Sequence, residues 1–342
     1  MSSNFIAILG VHQSTSDITR QANLYGTLGF HIDESASLED GEILPDEWFA
    51  ARGVNRDDLL AVHAMKLPAD PYMHVYLYSW KNLITESRWP QAFNQIGSRG
   101  ISLHLDDVHA ELNRLRRDFP DTRILQEPIP IDYKWGRTMS ALVQDPEGTW
   151  VELVSIENNP LVAQAKAPSP GDRSFLHFML NCLNFEETSA WYTAFGMTHD
   201  GGVDFRPEVG FNQGYDYFMD QMKVYRHWDT NMWQDCHFLR GERDPSHMHL
   251  ELLKYNDNGA HLKDPGLHPT WYQKGIARYC IKTPDYASAL ADAKKRGYKI
   301  YIDEQRGCLV WGDSQWFYFG DVDGNILTLE QWFPHRYWGE RM

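Results

Sequence analysis

Residues 316–332 read WFYFGDVDGNILTLEQW, and this stretch decides the fold of the chain. Its apolar alternation predicts one strand, a tight turn at residues 321–324 and a returning strand. Side chains two residues apart in a strand lie on the same face of a sheet. Tyr318 on the first strand, and Thr328 with Glu330 on the second, are therefore expected to face one space.

The same hairpin design recurs along the chain. A D-P-E-G turn at residues 145–148 precedes the strand-like segment TWVELV, and shorter versions begin at Asp70 and Asp244. Upstream of each hairpin, a strand-like segment leads into an amphipathic segment with helical period. Two of these helical segments end in LYGTLGF and WYTAFGM, where Gly29 and Gly196 are expected to stop the helix in the left-handed conformation. The sequence therefore contains four copies of one module, made of a strand, a helix and three strands.

We predict an α+β fold in which four βαβββ modules pair into two half-barrel domains, because one module alone cannot bury its apolar face. A proline- and alanine-rich segment, residues 162–172, is predicted to be the linker between the domains. Neighbouring modules are expected to pair. Modules at about 4–80 and 98–157 then form an N-terminal domain, residues 1–161, and the other two form a C-terminal domain, residues 173–342, that carries the active-site cup.

Composition limits the partners of the protein. A formal net charge of −15 argues against binding to nucleic acid or to an anionic membrane surface. Four widely spaced cysteines without a C-x-x-C motif predict reduced thiols in a cytoplasmic protein. Aromatic residues make up 13% of the chain, which suits a pocket for a small aromatic substrate. In the aromatic segment 211–233, Tyr217, His227 and Trp228 are candidates for substrate binding, with a contact in a homo-oligomer as the alternative.

Over nearly its whole length, this module pattern resembles the vicinal oxygen chelate superfamily of glyoxalases, bleomycin-resistance proteins and extradiol dioxygenases. FLR at residues 238–240 and HMHL at 247–250 are similar to a run in type I extradiol dioxygenases, and FYF at 317–319 resembles their F-Y-V. The resemblance implies that Tyr318 contacts substrate and that Asp313 lies on the approach to it. It also implies Fe(II)-dependent cleavage of an aromatic substrate, catechol-like or polycyclic, with metal ligands on the first and last strands of the modules.

Counting along the modules locates these ligand positions. In the third module they fall on His177 and Glu251, which are both metal-ligating residue types. In the fourth module they fall on Arg278 and Thr328, and arginine does not bind iron. A bulge that brings Glu330 into the site would complete a metal set of His177, Glu251 and Glu330.

The first two modules offer a weaker ligand set. The ligand positions of the second module fall on Gly100 and Glu152, and the first-strand position of the first module falls on Gly10. We therefore expect no metal in the N-terminal domain. His12 and His104 are interpreted as strand histidines with structural roles.

Three functions stay open on this sequence. The first is the Fe(II) ring-cleaving dioxygenase, with His247 or His249 as acid–base catalyst. The second is a lyase, isomerase or hydrolase in which Arg278, His249 and Tyr318 stabilise an oxyanion without redox iron. The third is a binding protein that sequesters an aromatic compound. The cofactor is accordingly Fe(II), another divalent metal or none, and an internal salt bridge between Arg278 and Glu330 is the purely structural alternative.

Overall fold

The computed structural model describes residues 4–38, 44–68, 70, 73–84, 96–133, 136–157, 172–200, 233–244, 246, 248–255, 271–306 and 313–333. Module 1 comprises β1 (Ala7–Thr15), α1 (Ile18–Thr27), β2 (His31–Ile32), the inserted α2 (Asp46–Ala50), β3 (Leu59–Lys66) and β4 (His74–Trp80), with 3-10 turns at Glu34–Ala36 and Arg56–Asp58. Module 2 comprises β5 (Gly97–His104), α3 (Val108–Asp118), β6 (Arg123–Tyr133), β7 (Gly136–Gln144) and β8 (Trp150–Glu157). Module 3 comprises β9 (Ser174–Asn181), α4 (Phe185–Phe195), β10 (Thr198–His199), β11 (Trp233–Arg240) and β12 (His249–Tyr255). Module 4 comprises β13 (Gly275–Lys282), α5 (Tyr286–Lys295), β14 (Ile300–Arg306), β15 (Asp313–Gly320) and β16 (Ile326–Phe333).

The described residues thus confirm the α+β class and the four βαβββ modules. The hairpin that decides the fold is formed by β15 and β16, in which Tyr318 pairs with Thr328 across the two strands. Gly29 and Gly196 follow their helices with φ of 91° and 133°, as expected for helix stops.

The modules form two eight-stranded sheets, but they do not pair as predicted. Modules 1 and 4 form one sheet, called here the outer sheet, in the order β14-β15-β16-β13-β1-β4-β3-β2. Modules 2 and 3 form the inner sheet, in the order β10-β11-β12-β9-β5-β8-β7-β6. The joints are the antiparallel pairs β1–β13 and β5–β9. The expected pairing inside residues 1–161 and inside 173–342 is therefore wrong, because each sheet takes one module from either side of the linker.

Modules that are adjacent in the chain contact each other through their turns instead. The Asp145 carboxylate of module 2 accepts hydrogen bonds from Gln13, Gln21 and Tyr25 of module 1, and Gln13 donates over 2.8 Å. Glu147, in the same turn, accepts from the Thr15 hydroxyl over 2.8 Å, next to the start of α1. The turn of module 2 is thereby fixed against the first helix.

The turn of module 4 repeats this contact on module 3. Asp321 accepts a hydrogen bond of 3.0 Å from the Tyr192 hydroxyl of α4. Asp323 accepts from the backbone N–H groups of Leu183 (2.9 Å) and Asn184 (3.0 Å) at the start of the same helix. Since the side chain of Asn184 makes no cap hydrogen bond of its own, Asp323 acts as the cap of α4.

Strand alternation separates a shared core from two concave faces. Phe178, Leu250 and Leu329 face one large apolar core that contains residues of both sheets and of four helices. Their neighbours His177 and Glu251 lie on the opposite face, as the period of two requires. The concave faces of the two sheets are called the inner cup and the outer cup. No helix among the described residues is long and apolar enough to span a membrane.

Candidate functional site

The inner cup brings together three side chains from three strands. His177 of β9 lies with its Nε2 atom 3.0 Å from Oε2 of Glu152 on β8 and 3.1 Å from Oε2 of Glu251 on β12. In the sheet order, β8 and β12 are separated by β5 and β9, so in a flat sheet they would be about 14 Å apart. His177 on β9 is one strand away from Glu251 and two strands away from Glu152, and the long glutamate side chains bring both carboxylates to the same nitrogen.

The direction of the imidazole is informative. Although both carboxylate oxygens lie within 3.1 Å of the His177 Nε2 atom, neither is aligned with it as a hydrogen-bond partner. The nitrogen therefore points between the carboxylates of Glu152 and Glu251. The side chains of His177 and Glu251 are 7% and 9% exposed, whereas that of Glu152 is 23% exposed, so the group is reached from the side of Glu152.

Neighbouring side chains hold the two carboxylates in place. The Ser140 hydroxyl donates a hydrogen bond of 2.7 Å to Oε1 of Glu152, and the Cys236 thiol lies 3.5 Å from Oε1 of Glu251. Burial raises the pKa of Glu152, but His177 and Ser140 together hold it below its usual value. Burial also lowers the pKa of His177, but the charges of Glu251 and Glu152 raise it to about 10. The imidazole is therefore protonated at neutral pH and serves as counter-ion to both carboxylates.

One imidazole and two carboxylates are residue types that bind divalent cations. No lysine or arginine among the described residues forms an ion pair with Glu152 or Glu251, so the two carboxylates share one imidazolium. Among the described residues, no group of three or more His, Cys, Asp or Glu side chains is arranged to hold a metal ion. What favours a cation is the His177 Nε2 atom, which lies within 3.1 Å of two carboxylate oxygens without an aligned hydrogen bond to either. Such a cation would replace the His177 proton.

A histidine–aspartate pair lies beside this group. His249 is the strand partner of His177 and lies on the same face of β12 as Glu251. Its Nε2 atom is 3.1 Å from Oδ2 of Asp200. The Phe238 ring contacts both imidazoles edge-on, with centroids 5.5 Å from His177 and 5.7 Å from His249. Because the His249 side chain is 16% exposed, it is accessible to a small molecule in the cup.

The outer cup carries different chemistry at the same place in its sheet. His12 of β1 contacts the Tyr78 hydroxyl through Nδ1 and the Cys280 thiol through Nε2, both at 2.9 Å. Burial, and then the charges of Arg52 and Arg278, hold the pKa of His12 well below its usual value. His12 is therefore a neutral histidine whose two nitrogens are both partnered, which agrees with its predicted structural role.

Two arginines give the outer cup its charge. The Arg278 guanidinium lies 4.4 Å from the centroid of the Tyr318 ring, and that of Arg52 lies 3.7 Å from the Trp48 ring. The salt bridge considered between Arg278 and Glu330 is not formed. Burial raises the pKa of Glu330 despite a hydrogen bond from Ser314.

The structure divides the predicted site residues between the two cups. It brings His177, Glu251 and His249 together in the inner cup, whereas Arg278 and Tyr318 meet in the outer cup. The predicted metal set is not assembled, because Glu330 lies on β16 of the outer sheet while the other two members lie in the inner sheet. The remaining predictions fall outside the described side chains: His247, Tyr217, His227, Trp228 and the side chain of Asp313.

Glu152 is the site residue that sequence reasoning left out. Counting from the turn of module 2 did place it at a ligand position, as it did Glu251 in module 3. The sequence nevertheless predicts no metal there, because the first-strand positions of modules 1 and 2 fall on Gly10 and Gly100, and it predicts that module 2 pairs with module 1. The pairing of β5 with β9 corrects this, since it puts modules 2 and 3 in one cup.

Solved structures share this architecture. A single-residue variant of glyoxalase I from Zea mays superposes with a TM-score of 0.56 at 19% identity, covering 95% of this chain and 92% of that one. Unmodified glyoxalase I from Zea mays gives a TM-score of 0.54 at 18% identity, with coverages of 95% and 92%. A proposed dioxygenase from Bacillus subtilis gives 0.54 at 11% identity, covering 96% and 86%.

No protein-family model and no curated protein matches the sequence. The structural similarity extends over nearly the whole chain and includes all four modules. The chain therefore shares the four-module fold of these glyoxalase I structures.

Proposed function

We propose that the inner cup binds a divalent metal ion through His177, Glu152 and Glu251, and that the protein is an enzyme acting there on a small molecule. The observation that supports this most directly is the buried His177 Nε2 atom, which points between carboxylates from two modules. Oxygen and imidazole donors of this kind suit divalent ions such as Mn²⁺, Fe²⁺ or Zn²⁺.

The reaction best supported is a non-redox proton transfer, of the isomerase or lyase type. A divalent ion in this cup would polarise oxygen atoms of the substrate and make a neighbouring C–H bond more acidic. His249 would accept and return that proton, since it faces the cup and is oriented through Nε2 by Asp200. The Phe238 ring, between the two histidines, would exclude water from one side of the substrate.

Fe(II)-dependent ring cleavage of an aromatic substrate is the second candidate. Non-haem Fe(II) oxygenases use two histidines and one carboxylate. The contacts in the inner cup supply one imidazole and two carboxylates. His249 is the one described observation that favours this candidate, because it is the strand partner of His177 and would complete a two-histidine set by leaving Asp200.

Metal titration tests the proposal without a known substrate. Protein stripped with a chelator should bind about one Mn²⁺ per chain, measured by electron paramagnetic resonance and elemental analysis. Glu152→Gln should weaken binding by roughly 100-fold, because it removes a charged ligand. Glu330→Gln is the matched control, since this carboxylate belongs to the other cup, and it should bind Mn²⁺ as the parent does. Equal Mn²⁺ affinity in Glu152→Gln and the parent would refute the assignment.

A further inference from the structure

The outer cup encloses a cavity that the metal-binding proposal does not use. Its empty volume, which includes the space at its open mouth, is about 450 Å³. Tyr76 and Tyr78 of β4 line one flank, and Trp316 and Tyr318 of β15 line the other. In the sheet order these flanks are separated by β16, β13 and β1, so the cup presents aromatic walls on both sides of its floor.

Two guanidinium groups are gathered at this cavity. Both lie 5.2 Å from the centroid of the Trp271 ring, which also lines the cavity. They also share Tyr318, whose ring centroid is 4.4 Å from Arg278 and 5.8 Å from Arg52. Two like charges so close together repel each other, and an anion between them would relieve that repulsion.

Neither arginine forms an ion pair among the described residues, although the Glu330 carboxylate also lines the cavity and interacts with the charge of Arg52. Arg278 is only 8% exposed, and its Nε atom, like that of Arg52, is buried without a hydrogen-bond partner among the described residues. Arg278 donates hydrogen bonds to the carbonyl of Ala277 (3.4 Å) and to the side chain of Tyr318, and Arg52 donates to the carbonyl of Trp48 (3.0 Å). A buried guanidinium without a paired carboxylate is costly. Its retention in a cavity points to an anionic ligand.

We propose that the outer cup is a second ligand site, which binds a small planar aromatic carboxylate. The carboxylate pairs with Arg278 and Arg52, because the guanidinium fork matches its two oxygens. The ring of the ligand packs among the tyrosine and tryptophan walls. The site holds no metal, since both guanidinium groups repel a cation and His12 is partnered on both nitrogens. It is independent of the inner cup.

The test uses benzoate and 2-naphthoate as probes, with benzamide and 2-naphthamide as neutral controls of equal shape. Three tryptophans line the cavity, so binding is followed by quenching of tryptophan fluorescence and by the thermal midpoint. We expect benzoate or 2-naphthoate to bind at least about 10-fold more tightly than the amide with the same ring. Equal binding of acid and amide, or no binding of either acid up to about 10 mM, overturns the proposal. Inorganic phosphate is titrated as well, and tighter binding of phosphate than of the aromatic acids also overturns it.

Variants then assign the site. Arg278→Gln and Arg52→Gln should each weaken binding of the aromatic carboxylate by about 10- to 100-fold and leave binding of the amide unchanged. Arg52 is half-buried on the rim, so its variant keeps the test valid if Arg278→Gln does not fold. Arg56→Gln is the matched control, because this arginine already pairs with Asp46 at 2.7 Å outside the cavity. Undiminished carboxylate binding in both Arg278→Gln and Arg52→Gln refutes the site.

The independence of the two cups is tested separately. His177→Gln, in the inner cup, should bind benzoate as the parent does, with or without Mn²⁺. If His177→Gln abolishes benzoate binding, the aromatic acid occupies the inner cup and this inference fails. The metal-binding proposal can fail without affecting this result, since neither arginine contacts the inner cup.

Discussion

The inner and outer cups are two versions of one design with opposite electrostatic character. Each is formed by two modules whose first strands pair antiparallel, and His177 in β9 corresponds to Arg278 in β13. On the last strands, Glu251 and Thr328 occupy equivalent positions, each seven residues after the first Asp of its turn. The inner cup therefore presents carboxylates around an imidazole, while the outer cup presents guanidinium groups among aromatic rings.

The two cups differ in their side chains and hardly in their fold. Both sheets keep the same strand order and one shared core. The outer cup differs at the ligand positions and also carries Arg52, which follows the helix inserted in module 1. The two proposals together assign a cation to the inner cup and an anion to the outer cup. Function in this fold is thus determined by the site residues.

We expect the largest effect on metal binding when the corresponding residues of the two cups are exchanged. His177→Arg should abolish Mn²⁺ binding, with a loss of at least about 100-fold, because a guanidinium that cannot lose its proton would pair with Glu152 and Glu251. The measurement is Mn²⁺ titration followed by electron paramagnetic resonance. We expect the protein to remain folded, since one cation replaces another between the same carboxylates.

The reverse exchange is the control. Arg278→His should gain no Mn²⁺ site, because Thr328 occupies the position where the inner cup has Glu251. Mn²⁺ binding in the outer cup of Arg278→His, or undiminished binding in His177→Arg, would show that the correspondence between the cups is wrong.

Local patterns predicted the modules well but could not predict how they pair. The period of the strands and helices and the DVDG and DPEG turns are local features, so four βαβββ units could be found from the sequence. The pairing of β1 with β13 joins segments from opposite ends of the chain, and no local signal distinguishes it from pairing with β5. The lack of a local signal for module pairing also explains why the sequence predicted only part of the site. His177 and Glu251 belong to one module and were found, whereas Glu152 comes from the partner module and Glu330 was assigned to the wrong cup.

A second comparison concerns the first-strand glycines of modules 1 and 2. A Cβ atom on Gly100 would overlap the backbone carbonyl of Trp150, whereas one on Gly10 would meet the Tyr76 ring at 2.8 Å. Gly100→Ala should therefore reduce the free energy of unfolding by about 3 kcal/mol, because β5 and β8 must separate, and Gly10→Ala by about 1 kcal/mol, because a ring can shift. Urea unfolding measures both.

Gly26→Ala provides the control for this pair, since a Cβ atom there meets nothing within 4 Å. It should not destabilise the protein, because alanine favours a helix over glycine. Equal losses in Gly100→Ala and Gly10→Ala would contradict the close approach of β5 and β8.

The smallest expected effect concerns the buried aspartates in the turns of modules 2 and 4, which differ in the pH at which they lose their protons. Burial raises the pKa of Asp145 to about 6 and that of Asp321 to about 7. Because the folded state binds these protons more tightly than the unfolded state, their contribution to stability is complete below a pH of about 4. It is lost as the pH rises through about 6 for Asp145 and about 7 for Asp321. The free energy of unfolding should therefore fall between about pH 4 and about pH 7.

Asp321→Asn should reduce this fall by on the order of 1 kcal/mol or more, over the range from about pH 4 to about pH 7, because the amide does not titrate. Asp145→Asn should reduce it only up to about pH 6. The fall is not abolished in either variant, since burial also raises the pKa of Asp244 to about 7. Urea unfolding across this pH range measures the slopes, with exposed Asp121→Asn as control. An unchanged slope in Asp321→Asn would mean that its carboxyl group, hydrogen-bonded to Tyr192, keeps an ordinary affinity for protons at the contact between modules 3 and 4.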